Sequence, residues 1–462
     1  MATQAELAGL SALPALEIAR VVREGGASPV DVVEAHLRRI DAVEPTIRAF
    51  QAVRRGEAID EARALAARAD LGSLPLAGVP VAVKDNVDVA GLPTRYGSAA
   101  TSAAPAARDD ELVARLRAAG CVVIGKTQMP ELAVWPFTEP AAFATTRNPW
   151  DPGRTPGGST GGGAAAVATG MAALALGSDG GGSLRVPAAC CGVVGVKPGP
   201  GLVPLAGGAA QHWYGLTAFG PLARTVADAA TALDVLTGGA VRRGPGEPER
   251  PLRIAFSPRP PAFGARVARP VRAALAEAVT LLREAGHTLT PARPPYPADL
   301  GLRFSNRWLA GIAKDAEGLP YDALEDRTRR MARRGRRIAH KVEPAQADPF
   351  VGRMARWFEG YDALVTPTLA RGPVLLGTWA GKGWVRTMLG VGNWLYTTPW
   401  NLAGFPAASV PFGTDERGLP LGLQIVAPAG GDQVVLALAA QVEQLRPWPR
   451  LAPATMIPQS RQ

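Results

Sequence analysis

Two serines lie in glycine-rich segments that suit nucleophilic chemistry. Ser159 stands in PGGSTGGG over residues 156–163, and Ser183 stands 24 residues further on in GSDGGGSLRVP over residues 177–187. A serine hydroxyl becomes an effective nucleophile only when a nearby base removes its proton. None of the four histidines stands in a recognisable triad motif: His36, His212, His287 and His340.

Without a well-placed histidine, the candidate base is a lysine, and Lys84 lies in the apolar stretch AGVPVAVKDN. Burial among apolar side chains lowers the pKa of a lysine and leaves its amine neutral near pH 7. Lys84 can instead extend to solvent or pair with Asp85 or Asp88, and the stretch taken alone favours that alternative.

Three consecutive glycines precede Ser183, and small residues in a row allow backbone N–H groups to converge on one point. Such a point can hold the negative oxygen that forms when a serine attacks a carbonyl carbon. The sequence therefore predicts an oxyanion hole formed by Gly180, Gly181, Gly182 and Ser183.

Two further motifs match by letter but not by context. GCVVIGKT over residues 120–127 satisfies a phosphate-loop pattern, yet a helix-like segment precedes it and its variable positions read as a buried strand. Gly157 to Gly161 satisfies the nucleophile-elbow pattern, yet the turn-rich NPWDPGRTP precedes it where a strand is required. We interpret the first as a buried strand and reject an elbow for the second.

The elements that must position these residues alternate between helix and strand. Residues 8–68 carry apolar residues at helical spacing, with a helix start at Ser28 and Pro29, and the stretch around Lys84 reads as short buried strands. The spacing also predicts helices over 109–119, 164–176, 271–285 and 432–445, and strands over 121–124, 288–289 and up to Pro367. This alternation predicts an α/β sheet.

The chain resembles the amidase-signature family. The resemblance rests on the two serine loops, their 24-residue spacing, the Ala-rich segment between them, and GVVGVKP over residues 192–198. Further matching segments follow in order along nearly the whole chain: GVPVAVKDN at 78–86, GKT at 125–127, NPW at 148–150, GPLARTVADAA at 220–230, YDALVTPT at 361–368 and NLAGFPAASVPFG at 401–413.

The resemblance implies a large mixed β-sheet between layers of α-helices and a Ser–cis-Ser–Lys mechanism. Ser183 would attack the carbonyl, and Ser159, after a cis Gly158–Ser159 bond, would relay protons to and from Lys84. An acyl-enzyme would form and then hydrolyse without a metal or organic cofactor. Thr160, which replaces the family's second serine, would support the site together with Asp179 and Arg185.

The resemblance also implies a division of the chain. Residues 1–70 would form an N-terminal helical segment and residues 71–240 the catalytic core. The Pro- and Arg-rich residues 241–263 would either connect that core to a C-terminal half or form only a surface loop. Residues 264–462 would complete the same domain and cover the substrate pocket.

Two other functions were weighed. A glutamine-dependent tRNA amidotransferase subunit typically carries KPTYGRVSR where this chain has KPGPGLV, which counts against that branch. A non-hydrolytic binding protein with the same fold conflicts with the presence of all three catalytic residues. The arginine-rich segment 327–341 contains no interleaved aromatic residue, so we predict a solvated helix and no nucleic-acid contact.

Composition limits the remaining possibilities. The 462 residues are 47% hydrophobic and carry a formal charge of +10, and the three cysteines suggest no disulfide framework. Residues 1–13 lack signal-peptide character, so we expect a cytoplasmic protein, a monomer or homodimer without membrane partners. The substrate is expected to be a small amide, ester or carbamate. Trp and Met residues of the second half favour an aromatic pocket and core packing equally.

Overall fold

A computed structural model describes residues 9–206, 211–241, 246–262 and 264–453. Parts of all four predicted segments therefore lie outside the described residues. These parts are residues 1–8 of the N-terminal segment, residues 207–210 of the catalytic core, residues 242–245 and 263 of the connection, and residues 454–462 of the C-terminal half.

Eleven strands in the described residues form one mixed sheet, in the order β1-β3-β2-β4-β6-β5-β10-β11-β9-β7-β8. The strands are β1 (Phe50–Val53), β2 (Pro80–Lys84), β3 (Val122–Thr127), β4 (Leu174–Asp179), β5 (Val194–Lys197), β6 (Ala218–Ala223), β7 (Arg253–Phe256), β8 (Thr288–Pro291), β9 (Ala363–Pro367), β10 (Ala407–Thr414) and β11 (Pro420–Val426).

Fourteen α-helices of the described residues surround this sheet. They are α1 (Ala15–Arg23), α2 (Pro29–Ile47), α3 (Arg55–Ala66), α4 (Glu111–Ala118), α5 (Gly161–Ala168), α6 (Arg185–Cys191), α7 (Val226–Thr237), α8 (Arg269–Glu284), α9 (Leu300–Asp315), α10 (Asp326–Ile338), α11 (Pro349–Phe358), α12 (Trp384–Gly392), α13 (Thr398–Ala403) and α14 (Asp432–Leu445).

Local sequence explains where several elements begin and how deeply they lie. The Ser28 side chain accepts a hydrogen bond from the Asp31 N–H, and Asp31 reciprocates, so α2 starts with a capping box followed by Pro29. Every residue of β2, β3, β4 and β9 is buried, which requires cover on both faces of the sheet. The predicted α/β class with a large mixed sheet is confirmed.

The register of the central strands brings two functional segments together. β2 runs parallel to β4, with Val83 opposite Leu176. Parallel neighbours end at the same edge of a sheet. Lys84 at the end of β2 therefore lies beside Ser178 and Asp179 at the end of β4.

One predicted helix is wrong in its second half. Residues 164–176 were expected to form a single Ala-rich helix, but α5 ends at Ala168 and β4 begins at Leu174. Gly170 adopts a left-handed φ of +75°, which turns the chain out of the helix. An unbroken apolar run has no periodicity that separates a buried helix from a buried strand.

Two other expectations, a buried strand at GKT and a solvated arginine-rich helix, are confirmed. GKT over residues 125–127 ends the buried strand β3 and is not followed by a helix start. The arginine-rich segment forms α10, whose arginines lie mostly on the exposed side while Met331 and Ala332 are buried. Within the described residues, no helix is long and apolar enough to cross a membrane.

Candidate active site

Lys84 lies at the centre of the candidate site, with its side chain fully buried. Its Nζ is 2.7 Å from Ser159 Oγ and 2.8 Å from Ser178 Oγ, both within hydrogen-bonding distance. Asn86 Nδ2 donates to the same Ser178 hydroxyl at 3.1 Å. The amine is therefore surrounded by neutral hydroxyl groups.

The alternative of an ion pair with a neighbouring aspartate does not hold for Lys84. Asp85 pairs instead with Lys126, whose Nζ lies 2.9 Å from the carboxylate, and Asp88 accepts a hydrogen bond from Thr94. Burial lowers the pKa of Lys84 to about 7, although the charge of Asp179 opposes the shift. Near neutral pH, a large fraction of this amine is able to accept a proton.

The two serine loops contact each other directly. Ser159 is buried at the start of the loop that enters α5, and the Gly158–Ser159 peptide bond is cis. The N–H of Thr160 donates to the carbonyl of Ser183 at 3.2 Å. The Thr160 hydroxyl donates to the Ser178 carbonyl at 3.1 Å, so Thr160 connects both loops to the end of β4.

The Asp179 carboxylate organises the glycine turn that carries Ser183. Its Oδ1 accepts from the Gly182 N–H at 2.6 Å, and its Oδ2 accepts from the Leu184 N–H at 3.2 Å. Gly182 has a φ of +128°, and a Cβ there would lie 2.2 Å from Thr397 Oγ1, so only glycine fits. Since Asp179 holds the Gly182 N–H, the predicted oxyanion set is left with the N–H groups of Gly180, Gly181 and Ser183.

Arg185 binds Asp179 in a fully buried two-pronged ion pair. Its Nε and Nη2 each lie 3.0 Å from a carboxylate oxygen, and Nη2 also donates to Asn401 Oδ1 at 2.6 Å. Nη1 donates to Gln424 Oε1 at 2.8 Å. Burial alone would raise the pKa of Asp179, but the Arg185 charge and these hydrogen bonds hold it well below its usual value. The network fixes the Ser183 loop in place.

Ser183 is half-buried and opens onto a cavity of about 270 Å³, the active-site cavity, whose walls are mainly apolar. The aromatic wall residues come from three separate segments, the last two from one helix, α9: Trp135, Trp213, Phe304 and Trp308. Trp135 and Trp308 meet edge to face with centroids 5.8 Å apart, and Phe304 stacks on Trp308 at 6.4 Å. The cavity therefore suits a substrate with an aromatic or bulky apolar group.

The aromatic and methionine residues of the second half have two different roles. Trp308 and Met388 line the active-site cavity, whereas Trp394, Tyr396 and Trp400 are buried in the core. Within the described residues, no group of three or more His, Cys, Asp or Glu side chains is placed to hold a metal ion.

Sequence reasoning missed several residues of the site. Asn86 and Ser178 both lie inside the quoted motifs. The available signal was that Asn86 comes two residues after Lys84 and that Ser178 comes directly before Asp179. Trp135 and Trp213 stand in segments without a recognisable pattern. No local signal could have assigned these two to the cavity.

Known proteins are similar to this chain over most of its length. A family model described as Amidase matches residues 31–436. The Mycobacterium tuberculosis protein AmiB2 is 43% identical, covering 94% of this chain and 96% of its own length.

Two solved structures are also similar. The 6-aminohexanoate cyclic dimer hydrolase superposes with a TM-score of 0.85 at 31% identity, covering 96% of this chain and 99% of its own. A bacterial aryl acylamidase described as an amidase-signature enzyme superposes with a TM-score of 0.83 at 26% identity, covering 94% and 96%.

Proposed function

We propose that this chain, which belongs to the amidase-signature family, hydrolyses a small-molecule amide with Ser183 as nucleophile, Ser159 as proton relay and Lys84 as base. Family membership makes the protein a hydrolase of carbon–nitrogen bonds other than peptide bonds. The triad assignment rests on one observation above all: the 2.7 Å contact between the buried Lys84 amine and the Ser159 hydroxyl.

The proposed reaction begins when Ser183 Oγ attacks the substrate carbonyl carbon. Its proton passes to Ser159, whose own proton passes to neutral Lys84. The resulting oxyanion accepts hydrogen bonds from the N–H groups of the glycine turn, chiefly those of Gly180, Gly181 and Ser183. These donors are part of the folded loop and need no rearrangement as the charge develops.

The tetrahedral intermediate then collapses. The carbon–nitrogen bond breaks as Ser159 gives its proton to the leaving amine and Lys84 returns a proton to Ser159. An acyl-enzyme on Ser183 remains, and a water molecule activated by the same relay attacks it to release the acid. The same steps apply to esters and aryl carbamates, so we propose these as further substrates.

The test compares hydrolysis of a chromogenic aryl amide by wild type, Ser183→Ala and Ser409→Ala. Ser409 is a buried serine on β10 that bonds to Thr368, outside the proposed triad, and serves as the matched control. We expect kcat to fall roughly 10⁴-fold or more in Ser183→Ala and to stay near wild type in Ser409→Ala. Equal activity in wild type and Ser183→Ala would refute the assignment.

A second measurement tests the covalent intermediate. Wild type quenched with acid during turnover of a slowly hydrolysed ester should gain the mass of the acyl group on the peptide that contains Ser183. Ser183→Ala should gain none. Acyl mass on any other peptide would assign the nucleophile elsewhere.

A further inference from the structure

A second cavity, of about 560 Å³, opens beside the active-site cavity, and we call it the basic cavity. Four cationic side chains line it: Arg327, Arg330 and Arg334 from α10, and Lys382 from the segment before α12. Asp326 is the one carboxylate among its lining residues. A concave site lined mainly by cations attracts anions from solution.

Arg327 is largely committed to structural contacts. It donates to the Trp379 carbonyl at 2.6 Å, and its guanidinium lies 5.9 Å from the ring centre of Trp135. Its charge also acts on the nearby carboxylates of Glu139 and Glu325. The free positive charge of the basic cavity must therefore come from the other three cations.

Those three cations have little compensation. The nearest carboxylate to Arg330 is that of Asp326 at 3.9 Å, and this carboxylate also bonds to Arg329. Arg334 has no carboxylate partner within the described part of the chain, and neither has Lys382, whose amine lies 5.2 Å from the ring centre of Trp379. A carboxylate that enters the cavity can therefore find guanidinium donors that are not already paired.

The basic cavity adjoins the active-site cavity along a shared wall. The Trp135 side chain lines both. Helix α12 runs past both, with Trp384 and Thr387 on the basic cavity and Met388 and Val391 on the active-site cavity. Seven residues separate Trp384 from Val391, which corresponds to about 10 Å along a helix. The parts of α12 that line the two cavities therefore lie about that far apart, a length that an elongated rigid substrate can span.

We propose that the basic cavity is a subsite for an anionic group, such as a carboxylate, at the far end of an elongated aromatic substrate. This inference rests on the proposed amide hydrolysis at Ser183. Arg330 and Arg334 recognise the anion, and the aromatic wall at Trp135 holds the body of the substrate between the two ends.

Two pairs of biphenyl amides test the subsite. The first pair carries the extra group on the acyl side: the 4-nitroanilide of biphenyl-4-carboxylic acid with a 4′-carboxylate or a 4′-methyl group. The second pair carries it on the amine side: N-acetyl-4-aminobiphenyl with the same two substituents. We expect wild type to prefer the carboxylate over the methyl compound, in kcat/KM, in at least one pair.

Two double variants of equal charge change separate the subsite from general electrostatics. Arg330→Ala/Arg334→Ala removes two cations from the basic cavity. Arg333→Ala/Arg336→Ala removes two that instead lie over the ring of Tyr321. We expect the first to raise KM for the preferred carboxylate substrate about tenfold, the value of one charge-assisted hydrogen bond. In the first variant, KM for the methyl compound should stay at the wild-type value. In the second variant, KM for both compounds should stay at the wild-type value.

The outcomes distinguish the subsite from the activity itself. Suppose that the enzyme hydrolyses the simple amide acetanilide. If it then shows no preference for the carboxylate compound in either pair, or does not turn over the biphenyl amides, the subsite is overturned and the amidase proposal stands. An equal effect of both double variants also overturns it. Failure to hydrolyse any amide, acetanilide included, refutes the proposed function and the subsite with it.

Discussion

Lys84 is one of three lysines with buried side chains in the described residues, the others being Lys126 and Lys197. Lys126 is paired with Asp85, and the Lys197 amine donates to the Pro198 carbonyl at 3.1 Å. Burial lowers the pKa of Lys197 to about 7, as it does for Lys84. A lowered pKa therefore does not single out one of these lysines, and the proposal of Lys84 as the base rests on its contact with Ser159.

The pH dependence of kcat/KM should follow the titration of Lys84. The proposed base works only when neutral, and its pKa is lowered to about 7. On an uncharged amide, kcat/KM should fall about tenfold per pH unit below pH 7 and level off above it, because the profile reports groups of the free enzyme. Stopped assays across pH 5 to 9 measure this profile.

Lys84→Arg provides the matching variant, since a guanidinium stays protonated throughout that range. It should be inactive at every pH, including the upper plateau. A wild-type profile that is flat between pH 5 and 7 would argue against Lys84 as the base.

The Asp179–Arg185 pair should be important for stability as well as activity. Arg185→Met leaves the Asp179 carboxylate buried without its cation, and breaking a buried pair from one side costs about 3–5 kcal/mol of unfolding free energy. Arg250→Met is the matched control, because Arg250 forms a similar two-pronged pair with Asp362 at the surface. Urea denaturation at pH 7 should show a large loss of unfolding free energy for Arg185→Met and a much smaller loss for Arg250→Met. Equal losses would contradict the role assigned to the buried network.

At the scale of elements, prediction succeeded where periodicity or turn chemistry was specific. Ser28 followed by Pro29 marked the start of α2, and the Val-rich run marked β2 around Lys84. It failed across residues 164–176, where alanine and leucine suit both a buried helix and a buried strand. The deciding interaction there is the pairing of β4 with β2 and β6, which is distant in sequence.

The contact between α9 and α10 should depend on the absence of a side chain at Gly335. A Cβ there would lie 1.8 Å from the Leu309 carbonyl oxygen, so Gly335→Ala must push the helices apart. We expect a loss of about 1–3 kcal/mol in unfolding free energy. Because α9 carries Phe304 and Trp308, KM for aryl amides should also rise. Thermal unfolding and steady-state kinetics test both effects.

Gly352→Ala on α11 is the control for helix propensity. Gly352 is exposed, and the nearest atom to its added Cβ is an arginine nitrogen at 3.6 Å. Alanine is the better helix former by about 1 kcal/mol, so this variant should keep or gain stability. A similar loss in both variants would show that the α9–α10 contact is not the cause.

At the scale of the whole molecule, the sequence motifs were enough to propose catalytic residues but not to predict the walls of the substrate cavity. Lys84, Ser159 and Ser183 occur in motifs that are readable along the chain. The cavity walls combine Trp135, Trp213 and residues of α9 and α12, which only the folded chain brings together. Packing between distant segments leaves no spacing rule in the sequence.

The sheet order separates two halves that meet at one strand pair. Six strands before the connection, β1 to β6, occupy one side of the sheet. The other side holds β7, which lies within the connection's residues 241–263, and the four strands that follow it. They join where β5 pairs with β10, with Lys197 opposite Ala407. Arg185 crosses the same junction to Asn401 and Gln424. We propose that the halves form one domain, as the family resemblance implies.

Cutting the connection should therefore leave one particle. A protease site inserted between Glu247 and Pro248, which lie in the mostly exposed segment 246–249, allows cleavage after purification. The two fragments should co-elute at the position of the uncut protein, stay active, and separate only in denaturant. The N-terminal fragment expressed alone should be inactive, because Phe304 and Trp308 of the cavity belong to the other half. Fragments that separate in native buffer, or an N-terminal fragment with the KM of wild type, would show that the halves are independent domains.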